Sequence, residues 1–539
     1  MKTEGETAFW SLTSRLRRHW RPAQVEILAV RSYVLGCPCQ ASKFFLAKKR
    51  SHFMADASLP SSRPIVSVSG NSLIVIVGFL CLMQAVVLSF IRGGTSYDGA
   101  EQLLYTQSFE WGYGRSQPPL YTWMLIAVQQ LFGVTQFSEN LLKFASLFAF
   151  VFLMWRIGLK LGLRPPAAVT LAVSPFLIVE IAWEVQRNYS HTVLLLALTA
   201  AFALAYLHTL SARSMRGYVV LGVIFGLMLL TKYNAALFVL ALVVADLAVM
   251  RREGVFWTAK ALLIPVIAGG LVVPHAIWAL DHLDHVLAQQ GRFRMVADDR
   301  AGALVSGLLA YFLACISILG LPLLMMLPHR GWTAIAANCR GRKQAFALWT
   351  LLSSAFGLIL VLVSGATNVN IRWMLPLAIA ALPVLCGLVA DADPRANRHI
   401  RTLAIVMALI ATPGQWIESL RDARKNYNYD ELLQTAVQST GATEFLINDY
   451  AILANLRLYD SDARIVHQIM PAAGSMPLTN PAMLWTGDDD AEQMLLFARG
   501  LGACPAEPSP HTYMMRADRG QDPLLVHYQD LKTDCEPAG

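Results

Sequence analysis

The sequence contains few charged residues. Asp, Glu, Lys and Arg together make up 15% of its 539 residues, whereas soluble domains contain about 25%. Apolar residues make up 55%, and the mean hydropathy is +0.46. These proportions exclude a soluble globular protein and predict a membrane protein.

The sequence also lacks the charge pattern of a nucleic-acid-binding protein and the cysteine spacing of a metal site. The net charge is +8, but the basic residues form short clusters between apolar runs, which is a topology pattern. Among eight cysteines, Cys37 and Cys39 are the only close pair, which is weak support for zinc. Cys504 and Cys535 lie in a polar region and could pair in an oxidising compartment.

Long apolar runs, by contrast, are abundant. A membrane-spanning helix needs about 20 mostly apolar residues, and eleven runs are candidates. They lie roughly at 71–91, 138–159, 165–182, 191–209, 217–230, 234–250, 259–279, 304–327, 345–363, 372–390 and 401–417. The stretch 119–133 is too short for a span and better fits a helix at the membrane surface.

Lys and Arg cluster in alternate loops between these runs, so the positive-inside rule places the N-terminus in the cytoplasm. Residues 1–70 are predicted to be a basic cytoplasmic extension without regular structure. Alternatively, translation starts at Met54, and residues 1–53 are a mis-assigned extension. Residues 71–417 are the membrane domain, and 418–539 a small α/β extracytoplasmic domain. In that domain we predict strands at 444–448, 463–467, 482–486 and 524–528 and helices at 430–440 and 491–500.

A polar segment that contains acidic residues, residues 96–121, follows the first apolar run. Asp98 and Glu101 are three residues apart and share a face of a helical turn. A partly desolvated carboxylate at the membrane surface can act as a general base toward a hydroxyl group. Alternatively, Asp98 caps the following helix, because Ser96, Asp98 and Glu101 resemble a capping box.

Three basic residues are predicted to lie on the same side of the membrane as Asp98. They are Lys232, Arg372 and, with a weaker pattern, Arg187. Together they could bind an anionic phosphate and stabilise it as a leaving group. Alternatively, each side chain snorkels to the lipid headgroups.

The predicted substrate pocket combines polar and ring-bearing side chains near these cations. Its members are Gln117, Pro118, Pro119, Tyr121, Tyr233 and His275. His275 and the DHLDH segment that follows it are capable of binding a metal, but loop histidines are more often unliganded. We therefore assign no metal ligand, and a divalent cation stays open as a cofactor.

Five motifs in one order, together with the first-loop acid, resemble a known family. They are WGYGRSQPPLYTW, LFG, GLMLLTKYNAALF, VVPHAIWAL and IRWMLPL. In these residues the chain resembles polyprenyl-phosphate-sugar-dependent glycosyltransferases of the GT-C membrane fold, in the protein-mannosyltransferase-like superfamily. It is similar to lipid A aminoarabinose transferases and especially to lipopolysaccharide galacturonosyl transferases, over roughly residues 71–417.

The resemblance implies an inverting transfer. Asp98 deprotonates an acceptor hydroxyl group, which attacks the anomeric carbon of a sugar on polyprenyl phosphate. Lys232 and Arg372 match positions that hold the lipid phosphate. Two positions depart from the family: Gly99 follows Asp98 where a second acid is common, and Gln117 replaces the lysine of the aminoarabinose transferases.

We therefore predict an all-α polytopic membrane domain of about eleven transmembrane helices with interfacial helices in the first outer loop. The predicted function is sugar transfer from a polyprenyl-phosphate co-substrate to lipid A, core or another envelope acceptor on the periplasmic face of a bacterial inner membrane. The expected partners are the lipid-linked donor, the glycan acceptor and membrane lipids, and not nucleic acid. The alternatives are a transporter or flippase of a lipid-linked or small-molecule substrate and a non-catalytic assembly protein.

Overall fold

The computed structural model describes residues 70–114, 117–283, 300–364, 366–367, 369–471, 473, 477–487, 490–517, 522–533 and 535. The predicted extension up to residue 69, including Met54, Cys37 and Cys39, lies outside these ranges. Asp284 and His285 of the DHLDH segment also lie outside them. The first helix begins at Gly70, one residue before the first predicted span.

The membrane domain consists of helices. Their bounds are Gly70–Ile91, Tyr97–Tyr105, Leu120–Phe132, Gln136–Lys160, Pro165–Val173, Ser174–Leu177, Glu180–Glu184, Val185–Arg187, Ser190–Ala212, Met215–Leu229, Ala235–Val249, Arg251–Glu253, Ala259–Leu262, Leu263–Asp281, Arg300–Met326, Leu327–His329, Gly331–Asn338, Arg342–Ser364, Ile371–Met374, Leu377–Leu382, Pro383–Leu388, Val389–Ala392 and Pro394–Arg421. Within the described ranges, seven helices are long and apolar enough to cross a membrane, or up to eight if a bent pair counts as one span. The chain is a multi-pass membrane protein.

The bent pair occupies the third predicted run. Pro165–Leu177 and Glu180–Arg187 meet at 83°. The bend lies between a 3₁₀ turn that contains Pro175 and the π-helix Glu180–Glu184. Both elements interrupt regular α-helical hydrogen bonding, which accounts for the sharp change of direction.

Four further apolar helices are shorter than a membrane span. They are Leu120–Phe132, Met215–Leu229, Ala235–Val249 and Leu377–Ala392. The first is 13 residues long, or about 20 Å, and corresponds to the predicted surface helix. The other three coincide with predicted spans, so the number eleven stays a prediction.

Two helices form the centre of the membrane domain. The apolar windows of Gln136–Lys160 and Ser190–Ala212 are 56% and 67% buried, whereas that of Gly70–Ile91 is 22% buried. Small residues allow close packing elsewhere, since a Cβ atom at Gly226 would lie 2.9 Å from Leu271. The outer helices leave apolar side chains exposed, as expected for surfaces that face lipid.

The C-terminal region contains a mixed six-stranded sheet. The strands are β1 (Glu444–Ile447), β2 (Arg464–Val466), β3 (Pro481–Thr486), β4 (Cys504–Pro505), β5 (His511–Met515) and β6 (Leu524–Lys532), and the helices are Ala423–Lys425, Tyr429–Thr440, Tyr450–Leu453, Ala454–Leu458 and Ala491–Gly500. The order is β2-β1-β3-β6-β4, with β5 also paired to β6. β1 is parallel to β2 and β3, and β6 is antiparallel to β3.

This sheet has the strands that the sequence predicted, with two additions. All four β1 residues are buried, as is typical of a central parallel strand. β4 has two residues and β5 is mostly exposed, so neither produces a clear apolar pattern. Cys504 and Cys535 form a disulfide, as the sequence suggested.

The loop after the first helix packs into the core of the C-terminal region. Ala100, Leu103 and Leu104 belong to the same buried cluster as residues of the sheet. Gln107 binds the outer edge of β2, where its Nε2 donates to the carbonyl of Ile465 (2.9 Å) and its Oε1 accepts from the Ile465 amide (2.9 Å). The helix Tyr97–Tyr105 is therefore positioned by both the membrane domain and the C-terminal region.

Candidate active site

Asp98 and Glu101 lie on the helix Tyr97–Tyr105, with Asp98 in its first turn. Ser96 is the N-cap residue, but its side chain accepts no capping hydrogen bond. The carboxylate of Asp98 is therefore near a helix N-terminus, which favours negative charge, and no reciprocal capping box forms. Glu101 accepts a hydrogen bond from the Tyr105 hydroxyl group at 3.3 Å.

Gly99 explains why the second acid is displaced. A Cβ atom at this position would collide with the side chains of Thr95 and Glu139. Glu139 is itself occupied, since it accepts from Thr95 and lies 3.2 Å from Lys143. An acid directly after Asp98 would not fit, and Glu101 supplies the second carboxylate on the same face.

Asp98 and Arg372 meet in one cavity of about 200 Å³. Its lining residues are Tyr97, Asp98, Glu101, Gln117, His191, Arg372 and Tyr450. Arg372 Nη1 lies 3.8 Å from Asp98 Oδ1, and both side chains are 24% exposed. Among the described residues, Arg372 Nε is buried without a hydrogen-bond partner, so the guanidinium retains a donor for a ligand. We call this space the reaction cavity.

Local structure positions the Arg372 side chain. Arg372 lies in the short helix Ile371–Met374, whose N-cap residue Asn370 accepts from the Arg372 amide at 3.1 Å. Its guanidinium carbon lies 5.8 Å from the centre of the Tyr189 ring, a cation–π distance. These contacts fix the direction of the Arg372 side chain toward Asp98 and Tyr189.

Lys232 lies in the turn between the helices Met215–Leu229 and Ala235–Val249. It is 4% exposed, and its Nζ donates to the hydroxyl group of Thr192 at 2.8 Å. The pKa of Lys232 is lowered to about 7, chiefly by burial and secondarily by the nearby Arg372, against the raising effect of Asp98. Lys232 does not line the reaction cavity, but its partner Thr192 directly follows a residue that does.

Residues 117–121 connect the cavity to the Lys232 turn. Gln117 lines the cavity, and Pro119 is the N-cap residue of Leu120–Phe132. The Leu120 amide donates to the Leu230 carbonyl at 2.9 Å. Tyr121 is fully buried, and its hydroxyl group has no hydrogen-bond partner in the described part of the chain. Pro118, which precedes this cap, has no polar group to offer a ligand beyond its carbonyl.

Tyr233 and His275 form a separate pair outside the cavity lining. The Tyr233 hydroxyl group lies 2.6 Å from His275 Nε2, and His275 Nδ1 lies 2.7 Å from the Trp111 carbonyl oxygen. Both ring nitrogens are thus hydrogen-bonded within the protein. The structure does not bring this pair to Asp98, and its contacts are those of an anchor for the loop after the first helix.

Arg187 also lies outside the cavity lining. Its guanidinium is 3.5 Å from Glu184 and 3.5 Å from Glu418. It borders a small space lined also by Ser96 and Lys425. Within the described ranges Arg187 pairs with two carboxylates and Arg372 with one, that of Asp98.

His191, Tyr97 and Tyr450 line the cavity but were not identified from sequence. His191 lies at the start of Ser190–Ala212, with its ring 5.1 Å from that of Tyr121. The one sequence feature that could have identified His191 is its position in a polar segment, three residues after Asn188. Tyr450 comes from the C-terminal region, and no sequence feature connects it with Asp98.

No group of three or more His, Cys, Asp or Glu side chains that could hold a metal ion occurs within the described ranges. His282 Nδ1 lies 2.8 Å from the Trp278 carbonyl oxygen. Two of the DHLDH residues fall outside the described ranges.

Comparisons with known proteins agree with this architecture. Residues 116–278 match the family model described as dolichyl-phosphate-mannose-protein mannosyltransferase. The solved structure of ArnT from Cupriavidus metallidurans bound to undecaprenyl phosphate superposes with a TM-score of 0.59 at 14% identity, over 85% of this chain and 98% of ArnT. At that identity the likeness shows the fold.

The chain is a multi-pass membrane glycosyltransferase with the GT-C fold. It is 27% identical over 386 residues to the lipopolysaccharide core galacturonosyltransferase RgtB of Rhizobium johnstonii, covering 68% of this chain and 78% of RgtB. It is 26% identical over 402 residues to RgtA of the same organism, covering 70% and 78%. The resemblance inferred from the motifs is confirmed, and the transporter and assembly-protein alternatives are set aside.

Proposed function

We propose that the chain is an inverting glycosyltransferase that moves a sugar, a uronic acid or a hexose, from a polyprenyl-phosphate donor to a lipopolysaccharide-type acceptor. The observation that carries the proposal is the meeting of Asp98 and Arg372 in one cavity beside the buried Lys232. The names of RgtA and RgtB support the acceptor and the uronic acid. The lipid bound to ArnT supports the donor class.

In the proposed reaction, the Asp98 carboxylate takes the proton of the acceptor hydroxyl group. The acceptor oxygen forms a bond to the anomeric carbon from the side opposite the phosphate. The bond between the anomeric carbon and the phosphate oxygen breaks, and its electron pair leaves on the polyprenyl phosphate. A single displacement of this kind inverts the anomeric configuration.

The leaving phosphate gains one negative charge, so cations near it lower the barrier. Arg372 forms a loose ion pair with Asp98, and its Nε has no hydrogen-bond partner among the residues that the structure describes. Lys232 adds a second positive charge from a buried position. Glu101 and Gln117 line the same cavity and are proposed to bind sugar hydroxyl groups.

We also propose that the reaction cavity faces the periplasm. The positive-inside bias of the loops places the Asp98 side of the membrane opposite the clusters of Lys and Arg. The Cys504–Cys535 disulfide supports an oxidising compartment for the C-terminal region, which packs on the same loop as Asp98.

The test is a transfer assay with purified protein in liposomes. The donor is polyprenyl-phosphate-linked galacturonic acid, with mannose and aminoarabinose donors in parallel, and the acceptor is lipopolysaccharide. Asp98→Asn is expected to lower kcat about 10²- to 10⁴-fold. Nuclear magnetic resonance of the product gives its anomeric configuration, which is expected to be opposite to that of the donor.

The matched control is Asp430→Asn, which changes an exposed acid in the first turn of the helix Tyr429–Thr440. This variant is expected to keep the wild-type rate. A wild-type rate in Asp98→Asn would remove Asp98 as the base, and retention of configuration would exclude the single displacement.

A further inference from the structure

A second cavity, of about 340 Å³, lies at the carboxyl ends of the three parallel strands. Ile447 is the last residue of β1, His467 directly follows β2, and Thr486 is the last residue of β3. β1 lies between β2 and β3 and is parallel to both. The carboxyl ends of the three strands therefore lie side by side at one edge of the sheet. In α/β sheets, ligands bind at this edge. We call this cavity the sheet-edge crevice.

The floor of the sheet-edge crevice is held by hydrogen bonds between the strand ends. The Asn448 side-chain amide donates to the Thr486 carbonyl (2.9 Å) and to Asp490 (2.8 Å), and its oxygen accepts from the Thr486 amide (3.1 Å). His467 Nδ1 accepts from the Ile469 amide (3.0 Å), so Nε2 carries the proton that is donated to the Asn448 carbonyl (2.8 Å). The crevice is therefore preformed.

The lining of the crevice matches a neutral, hydroxyl-rich ligand. Tyr450 and Phe497 supply ring faces, and Asp490 and Gln493 supply a carboxylate and an amide. None of its described lining residues is Lys or Arg. Arg424, which stacks on the Tyr97 ring at 4.3 Å, is already paired with Asp422, so an anionic phosphate would meet carboxylates without a cation in the lining. Sugar rings present apolar faces and hydroxyl groups, which suit aromatic rings and carboxylate or amide acceptors. The volume is at the lower end of the about 300–1,000 Å³ of small-molecule sites.

The crevice adjoins the reaction cavity. Tyr97 and Tyr450 line both spaces. Asp98, the proposed base, directly follows Tyr97 in sequence. A saccharide bound in the crevice therefore continues toward the position where a hydroxyl group is deprotonated.

We propose that the sheet-edge crevice is the acceptor subsite, which binds a neutral, hydroxyl-rich saccharide of the acceptor while the reacting hydroxyl group reaches Asp98. The proposal rests on the proposed function for its link to catalysis. It assigns the C-terminal region a part in acceptor specificity, separate from the cations that bind the donor phosphate.

The test variant is Gln493→Arg, which places a bulky cation in the crevice from an exposed helical position. The matched control is Gln438→Arg, at an exposed position of the helix Tyr429–Thr440 outside the crevice. Binding of released core oligosaccharide is measured by calorimetry. Acceptor and donor KM values are measured with polyprenyl-phosphate-linked galacturonic acid and two acceptors, one with the intact core and one truncated beyond the accepting sugar.

Gln493→Arg is expected to weaken oligosaccharide binding and to raise KM for the intact acceptor, each about tenfold, with no change for the truncated acceptor or the donor. Gln438→Arg is expected to match the wild type. Unchanged oligosaccharide binding in Gln493→Arg overturns the subsite, as does an equal rise in KM for both acceptors. A wild-type protein that binds oligosaccharide but transfers no sugar overturns the proposed function and leaves the subsite standing.

Discussion

Two groups of basic residues lie near the start of the helix Tyr97–Tyr105, and they differ in the acids around them. In the first group, Lys425 Nζ is 2.8 Å from Glu418 and 3.4 Å from Asp422. Arg187 in the same group also contacts Glu418. Each of these two cations therefore has at least one carboxylate partner within the protein.

In the second group, one ion pair is formed among the residues that the structure describes. Lys232 donates to the neutral hydroxyl group of Thr192, and Arg372 has one carboxylate at 3.8 Å, that of Asp98. A buried cation without a full complement of acids is costly unless a ligand supplies the charge. The comparison favours a structural role for the first group and supports the anion-binding role proposed for the second.

The largest expected effect is a difference in kcat/KM between variants of Arg372 and of Arg187. Arg372→Ala is expected to lower kcat/KM about 10²- to 10³-fold, because it removes a donor to the leaving phosphate. Arg187→Ala is expected to change kcat/KM less than about threefold, because its partners are acids on a partly exposed surface. Steady-state transfer kinetics measure both values. Equal losses in the two variants would contradict the distinction between the groups.

The next effect concerns stability. Lys425→Met removes the cation closest to Glu418, while Arg187 still pairs with Glu418 and Arg424 with Asp422. It is expected to lower the free energy of unfolding by about 2 kcal/mol. Thermal unfolding in detergent measures the change, with the exposed Lys532→Met as the control. The rate per folded molecule is expected to stay the same. A raised donor KM in Lys425→Met would assign this lysine to the anion site instead.

The smallest effect is a dependence on pH. With the pKa of Lys232 lowered to about 7, its charged fraction falls from about nine-tenths at pH 6 to about one-tenth at pH 8. The donor phosphate loses a cation as the pH rises, so donor KM is expected to increase about tenfold over this range. Lys232→Arg keeps its charge and is expected to flatten the profile. The same rise in that variant would point to another titrating group.

Much of the fold was predictable because local pattern determines it. The apolar runs coincide with helices, and the apolar strand-like segments around 445, 465, 484 and 526 are strands. The approach of Asp98 to Arg372 was predictable in outline, since alternating basic loops place both at one end of the helices. The bend in the third predicted run was harder to predict, because it depends on a π-helix, which the amino-acid composition does not reveal.

The fate of individual polar side chains was not predictable. Arg187 and Arg372 look alike in sequence, but Arg187 meets Glu418 through tertiary packing of distant helices. Tyr233 and His275 were expected at the substrate pocket, yet they bond to each other instead. Which acid or ring approaches a given cation depends on helix rotation and crossing, and one sequence does not reveal either.

The core shared by the loop after the first helix and the C-terminal sheet has a consequence for biosynthesis. Asp98 emerges from the ribosome early, whereas Leu446 and Ile465, buried in the same cluster as Leu103, follow only after the last membrane helix. A nascent chain that has inserted every membrane helix therefore still lacks the packing that fixes the helix carrying Asp98. The helix Tyr97–Tyr105 can therefore reach its final packing only after the C-terminal region has been synthesised.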